Sequence, residues 1–194
     1  MGALIAWNVV SADGLFEGVD PWDLNHHQYI WGADLRRLSL DIGREAGLLV
    51  FGRKTYEGMA AHWPTDTSEP EIADYMNSIA KLVASRTLTE ASWQNTEVTA
   101  NIVDELRRRK GADDRPIYVF GSAILTHSLL EAGLVDEVLL GIAPVLLGAG
   151  TPLFKGASGP RGLTLIESRA VDTGGVLIRY GVPRGPEEDE APAG

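Results

Sequence analysis

The fold of this chain is decided by residues 117–154, IYVFGSAILTHSLLEAGLVDEVLLGIAPVLLGAGTPLF. An apolar run typical of a β-strand covers residues 117–120, and apolar side chains at helical spacing follow a turn at Gly121-Ser122. Gly133 ends the helical pattern, and a second apolar run over residues 138–143 is closed by Pro144. A strand, a turn, a helix and a second strand form the unit from which parallel α/β sheets are built, so we predict an α/β fold.

The turn formed by Gly121, Ser122 and Ala123 is a candidate anion site. It joins a strand to the first residues of a helix, where backbone N–H groups lack helical partners and the helix dipole favours negative charge. Gly121 has no side chain that would hold a phosphate away from the backbone. A tight turn without a ligand is the alternative interpretation, so this motif needs support from elsewhere in the chain.

The segments on either side continue the same pattern. Further strands are predicted at residues 3–10, 47–51, 80–84, 96–99, 163–170 and 176–182, and helices at residues 27–46, 56–61 and 101–110. The last two strands are separated by Asp172-Thr173-Gly174-Gly175, which is typical of a hairpin turn. Strands that alternate with helices and then end in a hairpin predict a single domain with a mostly parallel sheet and an antiparallel edge at the C-terminal end.

Three of the predicted strands end in small or cationic residues. Ligands bind beyond the carboxyl ends of the strands in open α/β sheets, so we expect the three strand exits to line one crevice. Glycines, hydroxyl groups and cations together suit an extended anionic ligand such as a dinucleotide. The exits are Gly52-Arg53-Lys54-Thr55, Ser85-Arg86-Thr87 and Gly121-Ser122-Ala123.

Composition excludes several classes of protein. The 194 residues include no cysteine, which excludes disulfides, thiol catalysis and thiolate metal sites. A net charge of −10 argues against a general nucleic-acid surface, and no apolar run is long enough to span a membrane. The first residues resemble a strand and not a signal peptide, so we expect a cytoplasmic protein. Residues 184–194 are acidic and proline-containing, and we expect a disordered tail there and a folded domain over residues 1–183.

Five motifs, in order, resemble the dihydrofolate reductase-like superfamily. They are SADG (residues 11–14), FGRKTYE (51–57), VFGSAIL (119–125), GLVDE (133–137) and PVLLGAGTPLF (144–154). The chain is most similar to the branch that contains the reductase domain of riboflavin-biosynthesis deaminase-reductases, and the resemblance covers residues 4–182. It implies a single-domain, mainly parallel eight-stranded sheet flanked by helices, with an antiparallel C-terminal strand. It also implies NADPH-dependent reduction of a pteridine-like or pyrimidine-like molecule, and it suggests a homodimer to which residues 138–147 contribute.

The same resemblance assigns cofactor-binding roles to the three strand exits. The first exit would bind the adenosine 2′-phosphate through Arg53 and the pyrophosphate through Thr55, with Gly52 and Lys54 in the same turn. The second exit would lie near the adenine ribose and its phosphate, and it contains Ser85, Arg86 and Thr87. The third would approach the pyrophosphate and the nicotinamide ribose, and it contains Gly121, Ser122 and Ala123.

Asp34 and Asp13 are the candidate catalytic residues. Dihydrofolate reductases have a Pro-Trp-x-Leu loop followed by an acid at the start of a helix, and this chain has Pro21-Trp22-Asp23-Leu24 and then Asp34. Asp34 would help to protonate the substrate, or it is a surface residue at a helix start. Asp13 would lie near the nicotinamide, or it is a turn-forming aspartate. Trp7 and Trp22 are expected to flank the mouth of the substrate pocket.

Two hypotheses for the function remain open at this stage. The first is an NADPH-dependent reductase with direct hydride transfer and no metal, acting on a small molecule. The second is a nucleotide-binding protein that has kept the fold and lost turnover. No metal site is predicted, because the four histidines, His26 and His27 among them, show no regular ligand spacing. Under the first hypothesis alone, replacing Asp34 by asparagine is expected to reduce turnover.

Overall fold

The main feature of the fold is an eight-stranded sheet. A computed structural model describes residues 1–154 and 159–183, so the predicted tail over residues 184–194 lies outside the described residues. The strands of the sheet are β1 (Leu4–Ser11), β3 (Leu48–Gly52), β4 (Lys81–Ala84), β5 (Thr96–Thr99), β6 (Ile117–Phe120), β7 (Glu137–Ala143), β9 (Thr164–Ala170) and β10 (Val176–Gly181). Two short strands, β2 (Leu15–Glu17) and β8 (Thr151–Pro152), pair with each other outside this sheet. The eight strands of the sheet match the eight predicted ones.

The order of the strands is β5-β4-β3-β6-β1-β7-β10-β9, and it places the predicted anion turn near the centre. In this order, each neighbouring pair from β5 at the edge to β7 is parallel. Strand β10 runs antiparallel to both β7 and β9. In the turn between β9 and β10, Gly174 has φ +86 and the Val171 N–H donates to the Gly175 carbonyl at 3.0 Å. The mainly parallel sheet with an antiparallel C-terminal strand is therefore confirmed.

Helices cover both faces of the sheet, as the continuous burial of β3 and β6 requires. One face is covered by α1 (Ala33–Glu45), α2 (Arg53–His62) and α3 (Pro70–Ser78), which bury Ile42, Tyr56 and Met76 against it. The other face is covered by α4 (Ile102–Lys110) and α5 (Ala123–Glu131), which bury Leu106 and Leu129. The carboxyl ends of the parallel strands are left uncovered between these two layers.

Local structure differs from the sequence-based prediction at two places before β4. The predicted helix over residues 27–46 is a 3-10 helix, Asn25–Tyr29, followed by a break and then α1. Gly32 is extended at the break because the β9–β10 turn packs there: a Cβ on Gly32 would lie 2.6 Å from Thr173 Cγ2. Helix α3 lies in a region for which no helix was predicted, because Pro70 was interpreted as a breaker although proline suits the first turn of a helix.

The GLVDE motif has a structural role, which is carried by Asp136. One carboxylate oxygen accepts the Leu4 N–H at 2.7 Å and also a hydrogen bond from the Lys110 ammonium group. The same ammonium group donates to the Leu134 carbonyl at 2.8 Å. The side chains of Lys110 and Asp136 are only 7% and 22% exposed, so water screens this ion pair little. Asp136 thereby connects the end of α4 to the first residues of β1.

Burial restricts the predicted contribution of residues 138–147 to a dimer surface. Val138, Leu139 and Ala143 are buried in β7, because this strand lies between β1 and β10, whereas Leu146 is 73% exposed. The exposed aliphatic side chains of the C-terminal hairpin are instead on or beside the edge strand β9, at Leu163, Leu165 and Ile166. A homodimer remains a prediction.

Candidate active site: a cationic crevice beside an aromatic cavity

A crevice lies at the carboxyl ends of β3, β4 and β6, where the three predicted exits meet. It is open to solvent and has a volume of about 390 Å³. Six of the ten predicted cofactor residues contribute to its lining, together with apolar and small residues from the start of α4 and the first turns of α5. The lining consists of Gly52, Arg53, Lys54, Ala84, Ser85, Arg86, Ala100, Ile102, Ser122, Ile124, Leu125 and Ser128.

The electrostatic character of the crevice is opposite to that of the whole chain. Arg53, Lys54 and Arg86 line it, and no carboxylate is among the described residues of its lining. Arg53 donates to Glu57 at 2.8 Å from the same helix, which holds the guanidinium in place while leaving it 43% exposed. Lys54 and Arg86 are exposed and have no acidic partner within the described residues. A local excess of positive charge therefore exists in a protein of net charge −10.

The turn after β6 has the geometry of an anion cradle. Gly121 and Ser122 both have positive φ, +58 and +61, at the start of α5. Left-handed backbone at a serine is strained, at a cost of about 1–3 kcal/mol, and such strain concentrates at functional sites. The β3 exit approaches this turn so closely that a Cβ on Gly52 would lie 2.3 Å from Ser122 Oγ and 3.1 Å from Ser122 Cβ. A side chain on Gly52 would therefore displace the cradle.

The loop after β4 is stabilised by hydrogen bonds to Ser85, the first residue after the strand. Ser85 Oγ accepts the Leu88 N–H at 2.9 Å and the Thr87 N–H at 3.2 Å, so the hydroxyl group closes the loop that carries Arg86. The Ser85 N–H in turn donates to the Thr99 carbonyl at 3.0 Å. Thr87 itself does not contribute to the lining of the crevice within the described residues, and neither does Ala123.

An aromatic cavity of about 140 Å³ lies on the other side of the same turn. Thr55 and Gly121, predicted to bind the cofactor, line this cavity and not the crevice, because Thr55 is buried on the inner side of α2. The predicted substrate residues Trp7 and Trp22 also line it. Seven aromatic side chains contribute in total: Trp7, Phe16, Trp22, Trp31, Trp63, Tyr75 and Phe120.

Trp22 closes the cavity from a loop that lies against α2. Its backbone has φ +67, and its N–H donates to the Glu17 carboxylate at 2.9 Å. Its indole packs over Gly58, where a Cβ would lie 2.1 Å from the ring. Gly58 is thus required for the observed position of Trp22, whose backbone strain and packing suit a residue with a role in the site.

Asp13 is not among the described residues that line the cavity, and its contacts favour the turn-forming role over a position near the nicotinamide. Its carboxylate accepts hydrogen bonds from the Ser11 hydroxyl at 2.6 Å, from the Gly148 N–H at 2.8 Å and from the Leu147 N–H at 3.2 Å. These donors stabilise the ionised form and lower the pKa of Asp13 from 3.8 to about 2. A carboxyl group with this pKa is ionised at neutral pH and has no proton to donate, so we assign Asp13 as the anchor of the loop after β7.

The lowered pKa of Asp13 predicts how its contribution to stability depends on pH. The hydrogen bonds require the ionised form, so they stabilise the fold above the unfolded pKa near 3.8 and are lost as the pH falls towards about 2. We expect Asp13→Asn to lower the midpoint of thermal unfolding at neutral pH, and this difference to disappear towards about pH 2. Asp74→Asn is the control, since Asp74 is exposed. An equal effect of both variants across the pH range would contradict the assignment.

Asp34 is not among the described residues that line the cavity, and its contacts favour a structural role over the predicted catalytic one. Its carboxylate accepts the Asp172 N–H at 3.0 Å, while the Asp172 carboxylate accepts the N–H groups of Ala33 at 2.9 Å and Asp34 at 3.3 Å. Arg37 and Arg169 lie 3.5 and 3.8 Å from the Asp34 carboxylate. These contacts join the first turn of α1 to the β9–β10 turn, which is the structural alternative named above.

Other polar side chains line the cavity, and the sequence did not identify them as candidate site residues. The Tyr75 hydroxyl lies 2.8 Å from Ser39 Oγ, and burial raises the pKa of Tyr75 to about 12, so it stays protonated. Burial lowers the pKa of His27 to about 3, so its ring is neutral. These residues were missed because α3 was not predicted and because the two adjacent histidines were interpreted as loop or helix-start residues. In the crevice, Ile124 was missed as a lining residue, although it is 85% exposed.

Two features are absent from the part of the chain that the structure describes. No helix among residues 1–154 and 159–183 is long and apolar enough to cross a membrane. Within the same residues, no group of three or more histidine and carboxylate side chains is arranged to hold a metal ion.

Comparison with known proteins identifies the family to which a chain with this fold and this site belongs. The model of the RibD C-terminal domain family matches residues 3–177, and the chain belongs to this family. It is also similar to the uncharacterized protein YyaP of Bacillus subtilis (strain 168), with 31% identity over 143 residues that cover 72% of this chain and 76% of YyaP. Membership of this family supports a reductase.

Solved structures show the same fold at low sequence identity. A putative riboflavin biosynthesis protein from Shewanella sp. PV-4 has a TM-score of 0.71 and 21% identity, covering 94% of this chain and 99% of that one. A Thermotoga maritima diaminohydroxyphosphoribosylaminopyrimidine deaminase/5-amino-6-(5-phosphoribosylamino)uracil reductase has 0.67 and 12%, covering 94% and 57%. Dihydrofolate reductase from Enterococcus faecalis, solved with NADP(H), has 0.59 and 16%, covering 93% and 96%. The predicted dihydrofolate reductase-like fold is therefore confirmed.

Proposed function

We propose that this protein is an NADPH-dependent reductase of a pteridine-like or pyrimidine-like small molecule. The observation that carries the proposal is the meeting of three strand exits in one crevice with three cations and no lining carboxylate within the described residues. An extended, highly anionic cofactor is the ligand that this charge pattern suits. The family and the reductases of similar fold support the same assignment.

The residues of the crevice fit the parts of NADPH by their chemistry. Arg53 and Arg86 are suited to phosphate groups, because guanidinium groups bind phosphate through parallel hydrogen bonds. The N–H groups at the start of α5, beside the left-handed Ser122, suit the pyrophosphate. Ile102 and Ile124 offer apolar surface for the adenine ring. Lys54 adds a third positive charge to the same lining.

The aromatic cavity is proposed to hold the substrate. NADPH supplies a hydride, and the protein positions the substrate and excludes water around it. Thr55 and Gly121 line the cavity on the side of the crevice, so they mark the boundary between the two ligands. Reduction of a ring also needs a proton. The Tyr75 hydroxyl, whose pKa is raised to about 12, holds its proton too tightly to be the source, so it is proposed to orient the ring by hydrogen bonding together with Ser39, and the proton is proposed to come from solvent.

Loss of positive charge in the crevice is expected to weaken NADPH binding. Arg53→Ala and Arg86→Ala are each predicted to raise the dissociation constant for NADPH by about tenfold, because each removes a charge-assisted contact of about 1.4 kcal/mol. Arg53→Ala removes the residue that is assigned to the 2′-phosphate, so it is expected to change NADH binding much less than NADPH binding. Titration calorimetry with both nucleotides measures these constants.

The control for these variants is Arg107→Ala, which removes an exposed arginine that is paired with Asp104 on α4, outside the crevice lining. It is expected to leave NADPH binding within about twofold of the wild type, since distant exposed charges are screened by salt. Equal affinities for NADPH in the Arg53→Ala, Arg86→Ala and Arg107→Ala variants would contradict the proposed cofactor site.

A further inference from the structure

The charge around the aromatic cavity contrasts with that of the crevice on the other side of the Gly121 turn. Within the described residues, no side chain in the cavity lining is charged at neutral pH, since the pKa of His27 is lowered to about 3. The three cations of the strand exits contribute to the crevice and not to the cavity. An anionic group placed in this cavity would lose its hydration without gaining a counter-charge.

The loop that closes the cavity is acidic. Residues 16–24 contribute Phe16, Trp22 and Leu24 to the lining, and Glu17, Asp20 and Asp23 stand between them in the same segment. The Glu17 carboxylate accepts the Trp22 N–H, and the Asp23 carboxylate accepts the Asn25 side-chain amide at 2.8 Å. No cation pairs with these three acids within the described residues. A substrate that carries phosphate or carboxylate groups would therefore be repelled on entry.

Neutral polar atoms of the lining indicate what the cavity would accept instead. The amide nitrogen and oxygen of Asn8 and the Nε2 atom of His27 are buried without hydrogen-bond partners within the described residues. Buried polar atoms seldom stay unpaired, so a ligand or water is expected to supply the partners. Asn8 and neutral His27 can serve both a donor and an acceptor on an uncharged ring. The seven aromatic side chains provide surfaces for stacking on a planar molecule.

We infer that the substrate of this reductase is an uncharged planar heterocycle with hydrogen-bonding edges and without a phosphate or carboxylate group. That the ligand is a substrate rests on the proposed function, whereas its chemical class rests on the cavity alone. It separates this chain from the Thermotoga maritima enzyme of similar fold, whose name describes a phosphoribosyl compound. The positive charge of this site would serve the cofactor only.

The test compares ligands that differ only by a phosphate. The pairs are dihydroneopterin with its monophosphate, for the pterin class, and ribitylaminouracil with its phosphate ester, for the pyrimidine class. Dissociation constants are measured by quenching of tryptophan fluorescence in the full chain without nucleotide. In at least one pair the unphosphorylated member is expected to bind at least about tenfold more tightly. Tighter or equal binding of the phosphorylated members, or no binding of either class, would overturn the inference.

A matched pair of variants locates the selectivity in the cavity. Leu24→Arg places a cation in the lining and is expected to remove most of the preference for the unphosphorylated ligand. Val19→Arg places the same charge at a residue of the same loop that is 76% exposed and outside the lining, and should leave most of the preference in place. Equal effects of the two variants would also overturn the inference.

Failure of the inference and failure of the proposed function give different results. NADPH is titrated into the same protein in a separate experiment. NADPH binding with a preference for phosphorylated ligands would leave the reductase proposal intact and remove the inference. Selective binding of the neutral rings without any NADPH binding would keep the ligand class and remove the reductase.

Discussion

Replacing Gly52 by valine is expected to weaken NADPH binding by at least about 100-fold, or about 2.7 kcal/mol, without unfolding the protein. The backbone of Gly52 is extended, with φ −74 and ψ 160, so valine can adopt it without strain. The side chain, however, would meet Ser122, because even a Cβ would lie 2.3 Å from Ser122 Oγ. Ser122 is held in a left-handed conformation at the start of α5, so its hydroxyl would have to rotate and its Cβ to shift, which disturbs the cradle at this residue.

The Gly52 prediction is checked by calorimetry for NADPH binding and by thermal unfolding. Overpacking at this position is expected to cost about 1–3 kcal/mol of stability, less than the folding free energy of a typical domain. Gly111→Val is the control, since a Cβ there would lie 3.7 Å from its nearest neighbour, an ordinary contact. If Gly52→Val binds NADPH as tightly as Gly111→Val does, the phosphate is not bound at the Ser122 turn.

Asp136→Ala is predicted to lower the free energy of unfolding by about 3 kcal/mol, because it leaves the Lys110 ammonium group buried without its carboxylate partner. The same change removes the acceptor of the Leu4 N–H, which lies 2.7 Å from the carboxylate at the start of β1. Denaturation in urea measures the loss. The effect is on folding, since Asp136 is not among the lining residues of the crevice or the cavity.

Two comparisons distinguish a buried ion pair from a general effect of removing an acid. Asp41→Ala breaks a pair with Arg44 in which both side chains are more than half exposed, and it should cost less than about 1 kcal/mol. Lys110→Met combined with Asp136→Leu should recover part of the stability that Asp136→Ala loses, since an apolar pair leaves no buried charge. Equal losses for Asp136→Ala and Asp41→Ala would contradict the structural role of the GLVDE motif.

The architecture was predictable because apolar periodicity and turn residues report directly on strands and helices. The strand–turn–helix unit at residues 117–131 and the hairpin at Asp172-Thr173-Gly174-Gly175 are local features, and both were predicted correctly. The break before α1 was not, because it depends on Gly32 meeting Thr173 across the fold. Helix α3 was missed because Pro70 has opposite meanings inside a helix and at its first residue.

The crevice was predictable in outline, whereas the catalytic carboxylates were not. Parallel strands bring their carboxyl ends to one edge, so the three exits had to lie near one another whatever their side chains do. The roles of Asp34 and Asp13 depend on which neighbours their carboxylates find. The Asp34 carboxylate accepts a hydrogen bond from the Asp172 N–H, and the Asp13 carboxylate accepts one from the Gly148 N–H, at sequence separations of 138 and 135 residues. No local pattern encodes such partners, and the same holds for the Tyr75–Ser39 hydroxyl pair.

The most direct test of the account is a titration of the purified wild-type protein with NADPH, observed through tryptophan excitation. Trp7, Trp22, Trp31 and Trp63 all line the cavity next to the crevice, so bound NADPH should quench them and emit by energy transfer. We expect saturable energy transfer from tryptophan to bound NADPH, which disappears in Gly52→Val and persists in Gly111→Val. Absence of any saturable signal with NADPH or NADH, confirmed by calorimetry, would contradict the claim that the cationic crevice is a dinucleotide site.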